Sequence, residues 1–205
     1  GELDVRLPVT GDERDEVDRL RGTINRMAEG LEETEKMKKK GKIITLTILV
    51  FCWMAFIFSM SAKNSTQSSN ISGGFTYNIL SMFFSQFRSI DKATQDSIVE
   101  GLQFIVRKGA HFTAYAILGG LCFANLRAFN KFNLKSNFLI ALVISALYAA
   151  SDELHQYFVP GRSCEFRDVM IDSCGALTGI IVVIIFSKII QKLNKIKRDK
   201  NQDII

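Results

Sequence analysis

The chain has 205 residues, of which 47% are hydrophobic, and its formal net charge at pH 7 is +5. Its apolar residues are gathered into four long runs, which is too much apolar surface for a chain of this length to hide in a soluble core. The composition therefore argues against a soluble domain. The positive charge requires no nucleic-acid partner, because lysine-rich flanks of membrane segments account for it.

Residues 1–36 differ in composition from the rest of the chain. They hold eleven acids against six bases, whereas residues 37–205 carry fourteen Lys and six Arg. Apolar residues within this part recur at spacings of 3 and 4, which is typical of the seam of a short coiled coil. The residues of this seam are Val17, Leu20, Ile24, Met27 and Leu31. Such a helix needs a partner helix.

The stretch from Leu3 to Asp12, followed by Asn25–Ala28 and Leu31-Glu32, resembles the second half of a HAMP signalling linker. The first HAMP helix and the span before it are absent, and half a HAMP cannot build the dimeric four-helix bundle of that family. We therefore expect residues 1–36 to be a fusion remnant or a misjoined reading frame. A dimerisation or signalling arm is the alternative, and residues 37–205 are the predicted membrane domain.

Four membrane-spanning helices are predicted, at about 43–60, 108–127, 137–157 and 168–188. The first run has eighteen residues without a charge, enough for about 27 Å of helix. The predicted fold is therefore an all-α helical bundle within the lipid bilayer.

Lys and Arg residues give the expected orientation. They cluster at 38–42, at 127–135 and at 188–200, so all three clusters fall on one side of a four-span chain. Cytoplasmic flanks carry the positive excess. We expect a multi-pass protein of the bacterial plasma membrane with both termini in the cytoplasm, and with residues 61–107 and 157–167 outside.

The long outer loop is predicted to contain three parts. Residues 61–72 are rich in Ser and Asn, which is typical of a solvated linker. Residues 75–87 are aromatic and almost uncharged, which fits an interfacial helix, a re-entrant helix or ordinary surface packing. Residues 91–107 have one apolar face, with Asp91 in the first turn, and are expected to form an amphipathic helix that docks on the spans.

A dense polar segment, residues 151–162, follows the third apolar run. Ionisable groups at or inside a bilayer cost several kcal/mol unless they face protein, water or a partner, so this segment indicates a function. Polar stripes at helical spacing occur on the second, third and fourth predicted spans. Their members are Lys108, His111 and Tyr115; Ser145, Tyr148, Asp152 and His155 or Gln156; and Asp168, Asp172, Gly175 and Gly179. Any one of these residues could be structural, but together they predict a pocket facing outside.

The candidate catalytic residues in this pocket are His111, Asp152, His155 and Asp168. The candidate ligand-binding residues are Lys108, Tyr115, Glu153, Gln156, Arg162 and Asp172. Pro160 and Gly161 suit the centre of a type II turn that displays Arg162, a residue suited to phosphate or carboxylate. No cofactor is predicted. Zinc or manganese is the alternative, although the spacing of the His and acidic residues gives it no support.

The chain resembles the VanZ-like family of bacterial membrane proteins over about residues 43–190. The resemblance lies in Lys108–Phe112 with Tyr115 and Gly119, in Ser151–Gln156 with Phe158–Arg162, and in Asp168-Val169 with Asp172, Gly175 and Gly179. Trp53, Phe58, Ser59 and Ser61 also match, and the last two join the candidate binding residues. The resemblance implies a role at the cell envelope. The family is named for low-level resistance to teicoplanin, a glycopeptide that binds the peptide of lipid-linked wall precursors.

Three mechanisms fit these residues. The protein could bind or shield a lipid-linked peptidoglycan precursor, or the antibiotic, without turnover. It could instead be an enzyme that modifies or hydrolyses an envelope lipid or wall precursor, with His155 or His111 as general base and Asp152 or Asp168 orienting it. A small transporter is the third class. The ligand and the oligomeric state stay open.

Overall fold

A computed structural model describes residues 13–202 of the chain. Over this range the chain forms five α-helices and one 3-10 helix, and these residues contain no β-strand. The elements are α1 (Glu13–Ser61), α2 (Ser65–Phe83), the 3-10 helix (Ser85–Ser89), α3 (Lys92–Phe129), α4 (Leu134–Tyr157) and α5 (Phe166–Gln202). The predicted all-α class is confirmed.

Four of these helices, α1, α3, α4 and α5, are long and apolar enough to cross a membrane. Each contains one of the four predicted spans. The molecule is therefore a multi-pass membrane protein.

The internal contacts of the chain define two units, with the boundary between Ile44 and Thr45. Before this division the chain is the first part of α1, so the predicted amino-terminal helix is present from Glu13. The predicted seam is exposed: Leu20, Ile24, Met27 and Leu31 each keep more than half of their surface accessible. Residues 3–12 of the HAMP-like stretch, and the side chain of Val17, lie outside the described residues.

Close packing of α3 on α5 forms the centre of the membrane domain. A Cβ added at Gly119 would meet the backbone of Ala176, and one added at Gly175 would meet the backbone of Phe112. Small residues allow such close approach within a bilayer, where helix association depends on van der Waals packing. Tyr115, Leu118 and Ile180 are fully buried beside this contact. The glycine face of α5 therefore positions α3, as its spacing indicated.

Side-chain hydrogen bonds attach α1 to this centre. The indole Nε1 of Trp53 donates to the carbonyl oxygen of Ala114 in α3 at 2.8 Å. The hydroxyl of Tyr148 in α4 donates to the carbonyl oxygen of Met54 at 2.7 Å. Because each bond reaches across to a different helix, α1 is held against both α3 and α4.

Helix α2 corrects the expectation of a solvated linker over residues 61–72. Asn64 and Gln67 form a reciprocal capping box, which begins the helix at Ser65 despite the Ser-rich sequence. Ser72 and Thr76 are buried, and their hydroxyls bond to carbonyls of their own helix. Phe75 is exposed. Whether residues 75–87 lie in the interface, re-enter the protein or pack on the surface stays a prediction.

Helix α3 corrects a second expectation. The predicted amphipathic helix at 91–107 and the second span are one continuous helix of 38 residues. Asp91 caps its start by accepting a hydrogen bond from the backbone N–H of Thr94. Asn130 ends it in the left-handed conformation, with φ at 54°. The glycines within it do not break the helix, since its packing outweighs their low helix propensity.

Candidate functional site

The polar stripes of α3, α4 and α5 meet at one end of the bundle, where α4 ends and α5 begins. Two contacts join α3 to α5 there. The ammonium of Lys108 forms an ion pair with the carboxylate of Asp168, and both side chains are mostly buried. One turn further along α3, Nδ1 of His111 lies 3.8 Å from Oδ2 of Asp172, which is 1% exposed. The predicted pairing of Asp168 with a histidine is therefore replaced by a pairing with Lys108.

A second buried group centres on Asp152 of α4. Its Oδ2 accepts hydrogen bonds from the hydroxyl of Ser61 at 2.8 Å and from the amide of Gln156 at 3.3 Å. The same amide also donates to the Ser61 hydroxyl, at 2.9 Å. All three side chains are buried. This network ties the end of α1 to the end of α4.

Arg162 extends this network through a tight turn. Its backbone N–H donates to the carbonyl of Val159 at 3.1 Å, and Gly161 has a φ of +75°, as the central glycine of a type II turn requires. Its guanidinium Nη1 donates to Oε1 of Gln156 at 3.0 Å. Burial lowers the pKa of Arg162, and the neighbouring Arg107 lowers it further. The group nevertheless stays a cation, since guanidinium does not deprotonate in proteins.

Glu153 holds the loop that follows this turn. The side chain is 1% exposed, and its Oε2 accepts a hydrogen bond from the backbone N–H of Glu165 at 3.1 Å. The contact lies just before the first turn of α5, which Asp168 occupies. Glu153 therefore acts here as a support for the loop between α4 and α5.

Several buried polar atoms at this end have no hydrogen-bond partner within residues 13–202. They include the hydroxyl of Tyr115, Oδ1 of Asp152, Nε2 of His155, Nε of Arg162, Oδ1 of Asp168 and Oδ2 of Asp172. Buried polar groups are almost always paired with protein or water. Such a concentration at one end of the bundle is typical of a functional site.

A cavity of about 680 Å³ opens beside this cluster, between α1, α2 and α3. Its walls are mainly apolar, with Trp53, Phe56 and Ile117 among them. Four basic side chains also line it: Lys63, Arg107, His111 and Arg162. No described residue of its lining is acidic. Its volume lies within the range of about 300–1,000 Å³ that is usual for small-molecule sites.

The predicted site residues divide into three groups by position. His111 and Arg162 line the cavity. Most others form the buried network beside it: Ser61, Lys108, Asp152, Glu153, Gln156, Asp168 and Asp172. Tyr115 is fully buried, with its ring centroid 6.3 Å from that of Tyr148.

Two predicted residues belong neither to the cavity lining nor to the buried network. The ring of His155 packs on Phe58, with the centroids 4.5 Å apart. Ser59 is exposed, and its hydroxyl donates to the carbonyl of Phe56 in its own helix. Lys63 and Arg107 also line the cavity, although neither belongs to a predicted stripe. Lys63 lies in the turn between α1 and α2, and Arg107 lies in α3, so only the packing of these elements brings the two side chains to the cavity.

A metal ion needs several ligand side chains close together. Among the described residues no three His, Cys, Asp or Glu side chains come together as metal ligands. Instead, two of the acids have a basic neighbour: Asp168 pairs with Lys108, and Asp172 lies close to His111.

The family model described as VanZ/LLP1 matches residues 46–187, well over half of the chain. The chain belongs to the VanZ/LLP1 family. The match includes every residue that lines the cavity and every candidate site residue. The resemblance found in the sequence is therefore confirmed for this VanZ-type membrane protein. No curated protein and no solved structure matches the chain.

Proposed function

We propose that this VanZ/LLP1 protein binds the anionic head group and part of the apolar chain of a lipid-linked wall precursor at the outer side of the bacterial plasma membrane. By shielding this precursor it lowers susceptibility to teicoplanin. One observation carries the proposal: an apolar cavity of about 680 Å³ has four basic and no acidic side chains among its described lining residues.

The chemistry of the cavity supports an amphiphilic ligand. Apolar walls stabilise a hydrocarbon chain by about 25 cal/mol for each Å² removed from water. A guanidinium binds phosphate oxygens through two parallel hydrogen bonds. The hydrogen bond from Arg162 to Gln156 holds this guanidinium in place before a ligand arrives, which reduces the entropy lost on binding.

Orientation supports an extracytoplasmic target. The Lys-rich segments 38–42 and 188–200, together with the short loop around Asn130, lie on the side expected to be cytoplasmic. The loop that carries Arg162 is then on the outer side, where lipid-linked precursors meet glycopeptides.

The test is expression of the full chain in a teicoplanin-susceptible host, with Arg162→Ala as the variant and Arg88→Ala as the matched control. Arg88 is exposed in the 3-10 helix and does not line the cavity. The intact protein and the control should raise the minimum inhibitory concentration, and Arg162→Ala should not. Equal membrane levels are checked by immunoblot. Unchanged sensitivity with the intact protein present in the membrane would refute the resistance role.

Hydrolysis of the bound lipid is a second candidate, favoured by the position of His111. This histidine lines the cavity and has a carboxylate at 3.8 Å, whereas His155 packs on Phe58. An enzyme would therefore use His111 as its general base, with Asp172 as the orienting acid. Incubation of purified protein with labelled precursor separates the two functions. A binder returns the lipid unchanged, and an enzyme releases a product that His111→Gln abolishes.

A further inference from the structure

Four acidic side chains gather at the polar end of the bundle. Asp152, Glu153 and Asp172 are each no more than 3% exposed, and Asp168 is close to them along α5. Among the described residues, two permanent cations contact the side chains of this network. Lys108 is paired with Asp168, and Arg162 donates to Gln156. Leaving buried carboxylates without compensating charge is costly, so the cluster as a whole favours taking up a proton.

Hydrogen-bond donors distinguish the four carboxyl groups. Asp168 has an ammonium, Glu153 has a backbone N–H, and Asp152 has a hydroxyl and an amide. Oδ2 of Asp172 has no hydrogen-bond partner within residues 13–202. Hydrogen bonds to the anion are what stabilise a carboxylate in an apolar site. Asp172 is therefore the acid whose charged form gains least from its surroundings.

His111 lies between Asp172 and the cavity. Its Nδ1 is 3.8 Å from Oδ2 of Asp172, and the same imidazole lines the cavity together with Arg162. Within the described part of the chain, the other ionisable groups that act on this pair are Lys108 and Tyr115 on α3, Asp152 and Glu153 on α4, Asp168 on α5 and Arg162 on the loop. A proton moved from Asp172 to His111 thus moves positive charge toward the ligand.

We infer that Asp172 and His111 form a proton-transfer pair, in which Asp172 gives its proton to His111 when an anionic head group binds in the cavity. For the transfer, Nδ1 of His111 and Oδ2 of Asp172 must close from 3.8 Å to hydrogen-bond distance. The O–H bond of the carboxylic acid then breaks, and an N–H bond forms at Nδ1 of the imidazole. The pair changes from two neutral groups to a carboxylate and an imidazolium, so its net charge is conserved. The inference rests on the proposed function, since it concerns the same cavity and the same class of ligand.

The transfer has a consequence for the dependence of binding on pH. The wild-type protein supplies the proton internally, so its affinity for an anion of constant charge stays nearly flat around neutral pH. Asp172→Asn removes this source, and His111 must then take its proton from water. Linkage of one proton predicts that the affinity of this variant falls about tenfold for each pH unit above neutrality.

The experiment uses the full chain in maltoside detergent, with dihexanoylphosphatidylglycerol as the probe, because its phosphodiester keeps one negative charge across this pH range. Binding is followed by the fluorescence of Trp53, which is the only tryptophan and lines the cavity. Infrared difference spectra follow the carbonyl stretch of protonated carboxylic acid. The probe should bind and remove this band in wild type. The loss should be absent in Asp172→Asn and in His111→Gln.

Controls separate this inference from the proposed function. Dihexanoylglycerol, with the same chains and no charge, should bind without changing the acid band. The matched variant Asp96→Asn, at an exposed acid of α3, should behave like wild type. The same band change with inorganic phosphate alone would support the transfer but assign it to free phosphate.

Three results would overturn the inference. If the wild-type protein binds the probe and its acid band stays unchanged, no proton is transferred, although the proposed function survives. A flat pH profile of the affinity of Asp172→Asn leads to the same conclusion. If wild type binds neither the probe nor phosphate, the proposed function fails, and the inference fails with it. His111→Gln keeps Asp172 in place, so a folding defect of Asp172→Asn does not prevent a decision.

Discussion

Gly179 of α5 packs directly on the backbone carbonyl of Ala116 in α3, so that a Cβ at this position would overlap the carbonyl oxygen. The backbone of each helix thus forms the packing surface of the other. The same crossing positions Lys108 over Asp168 and His111 over Asp172. The geometry of the polar site therefore depends on glycines that take no part in its chemistry.

Gly179→Ala should push α3 and α5 apart and destabilise the protein by about 1–3 kcal/mol, the usual cost of overpacking. Gly101→Ala is the matched control, because nothing lies within 4 Å of a Cβ there. It should instead stabilise α3 by about 0.5–1 kcal/mol through higher helix propensity. Thermal unfolding in detergent, followed by Trp53 fluorescence, measures both. Equal midpoints for the two variants would contradict the close crossing.

The ion pair between Lys108 and Asp168 gives a second prediction. Lys108→Ala leaves Asp168 as a mostly buried carboxylate, so we expect a loss of about 3 kcal/mol, the lower end of the range for buried pairs. The lower end applies because the two side chains keep 20% and 15% of their surface. Removing both partners together should cost less than removing Lys108 alone. Lys92→Ala, in the exposed pair with Asp96, should change the thermal midpoint little.

Much of the fold could be predicted because membrane spans have a strong local signal. A run such as Ile43 to Met60 requires a helix, since its backbone polar groups have no other partner in lipid. In the outer loop the local sequence signal is weak, and the expectation of a solvated linker there was wrong. The Ser-rich segment at 65–72 is helical because the capping box at Asn64 begins the helix and because α2 packs on α3.

The candidate site could be predicted only as sets of residues on each helix. Spacing places Asp152 and His155 on one stripe of α4, but it does not say which neighbour each side chain meets. Asp152 faces Ser61, and His155 faces Phe58. Likewise, nothing local distinguishes the buried Ser61 from the exposed Ser59, because the difference depends on how α1 is rotated against α4.

Asp91 predicts an acid-sensitive contribution to stability. Two hydrogen bonds lower the pKa of Asp91 below its usual 3.8. The bond from the Thr94 side chain has the larger effect, and the bond from the Thr94 backbone N–H has the smaller one. The folded state therefore favours the carboxylate. This contribution is fully present above the unfolded value of 3.8 and is lost as the pH falls through the lowered folded pKa.

Asp91→Asn keeps a good helix cap but cannot titrate. Its thermal midpoint should lie closer to that of wild type at acidic pH than at neutral pH, since only wild type loses this contribution. Melting curves recorded for both proteins from neutral pH to below 3.8 measure the difference. Parallel pH profiles would show that the cap contributes nothing through its charge.

The turn that carries Arg162 gives a prediction that joins backbone conformation to ligand binding. Gly161 has a φ of +75°, and a Cβ there would lie 2.9 Å from the Cβ of Ser65 at the start of α2. Gly161→Ala therefore adds about 1–2 kcal/mol of left-handed strain and a steric contact. The turn should open and move Arg162 away from Gln156, to which it donates at 3.0 Å.

Gly161→Ala should weaken binding of dihexanoylphosphatidylglycerol nearly as much as Arg162→Ala does. Because the turn lies outside the α3–α5 crossing, Gly161→Ala should lower the thermal stability less than Gly179→Ala does. Gly74→Ala is the control in α2, where nothing lies within 4 Å of an added Cβ, and it should bind like wild type. Fluorescence titration of Trp53 measures all three affinities. If Gly161→Ala keeps the full wild-type affinity, this prediction is wrong. The guanidinium of Arg162 then reaches the head group without the turn.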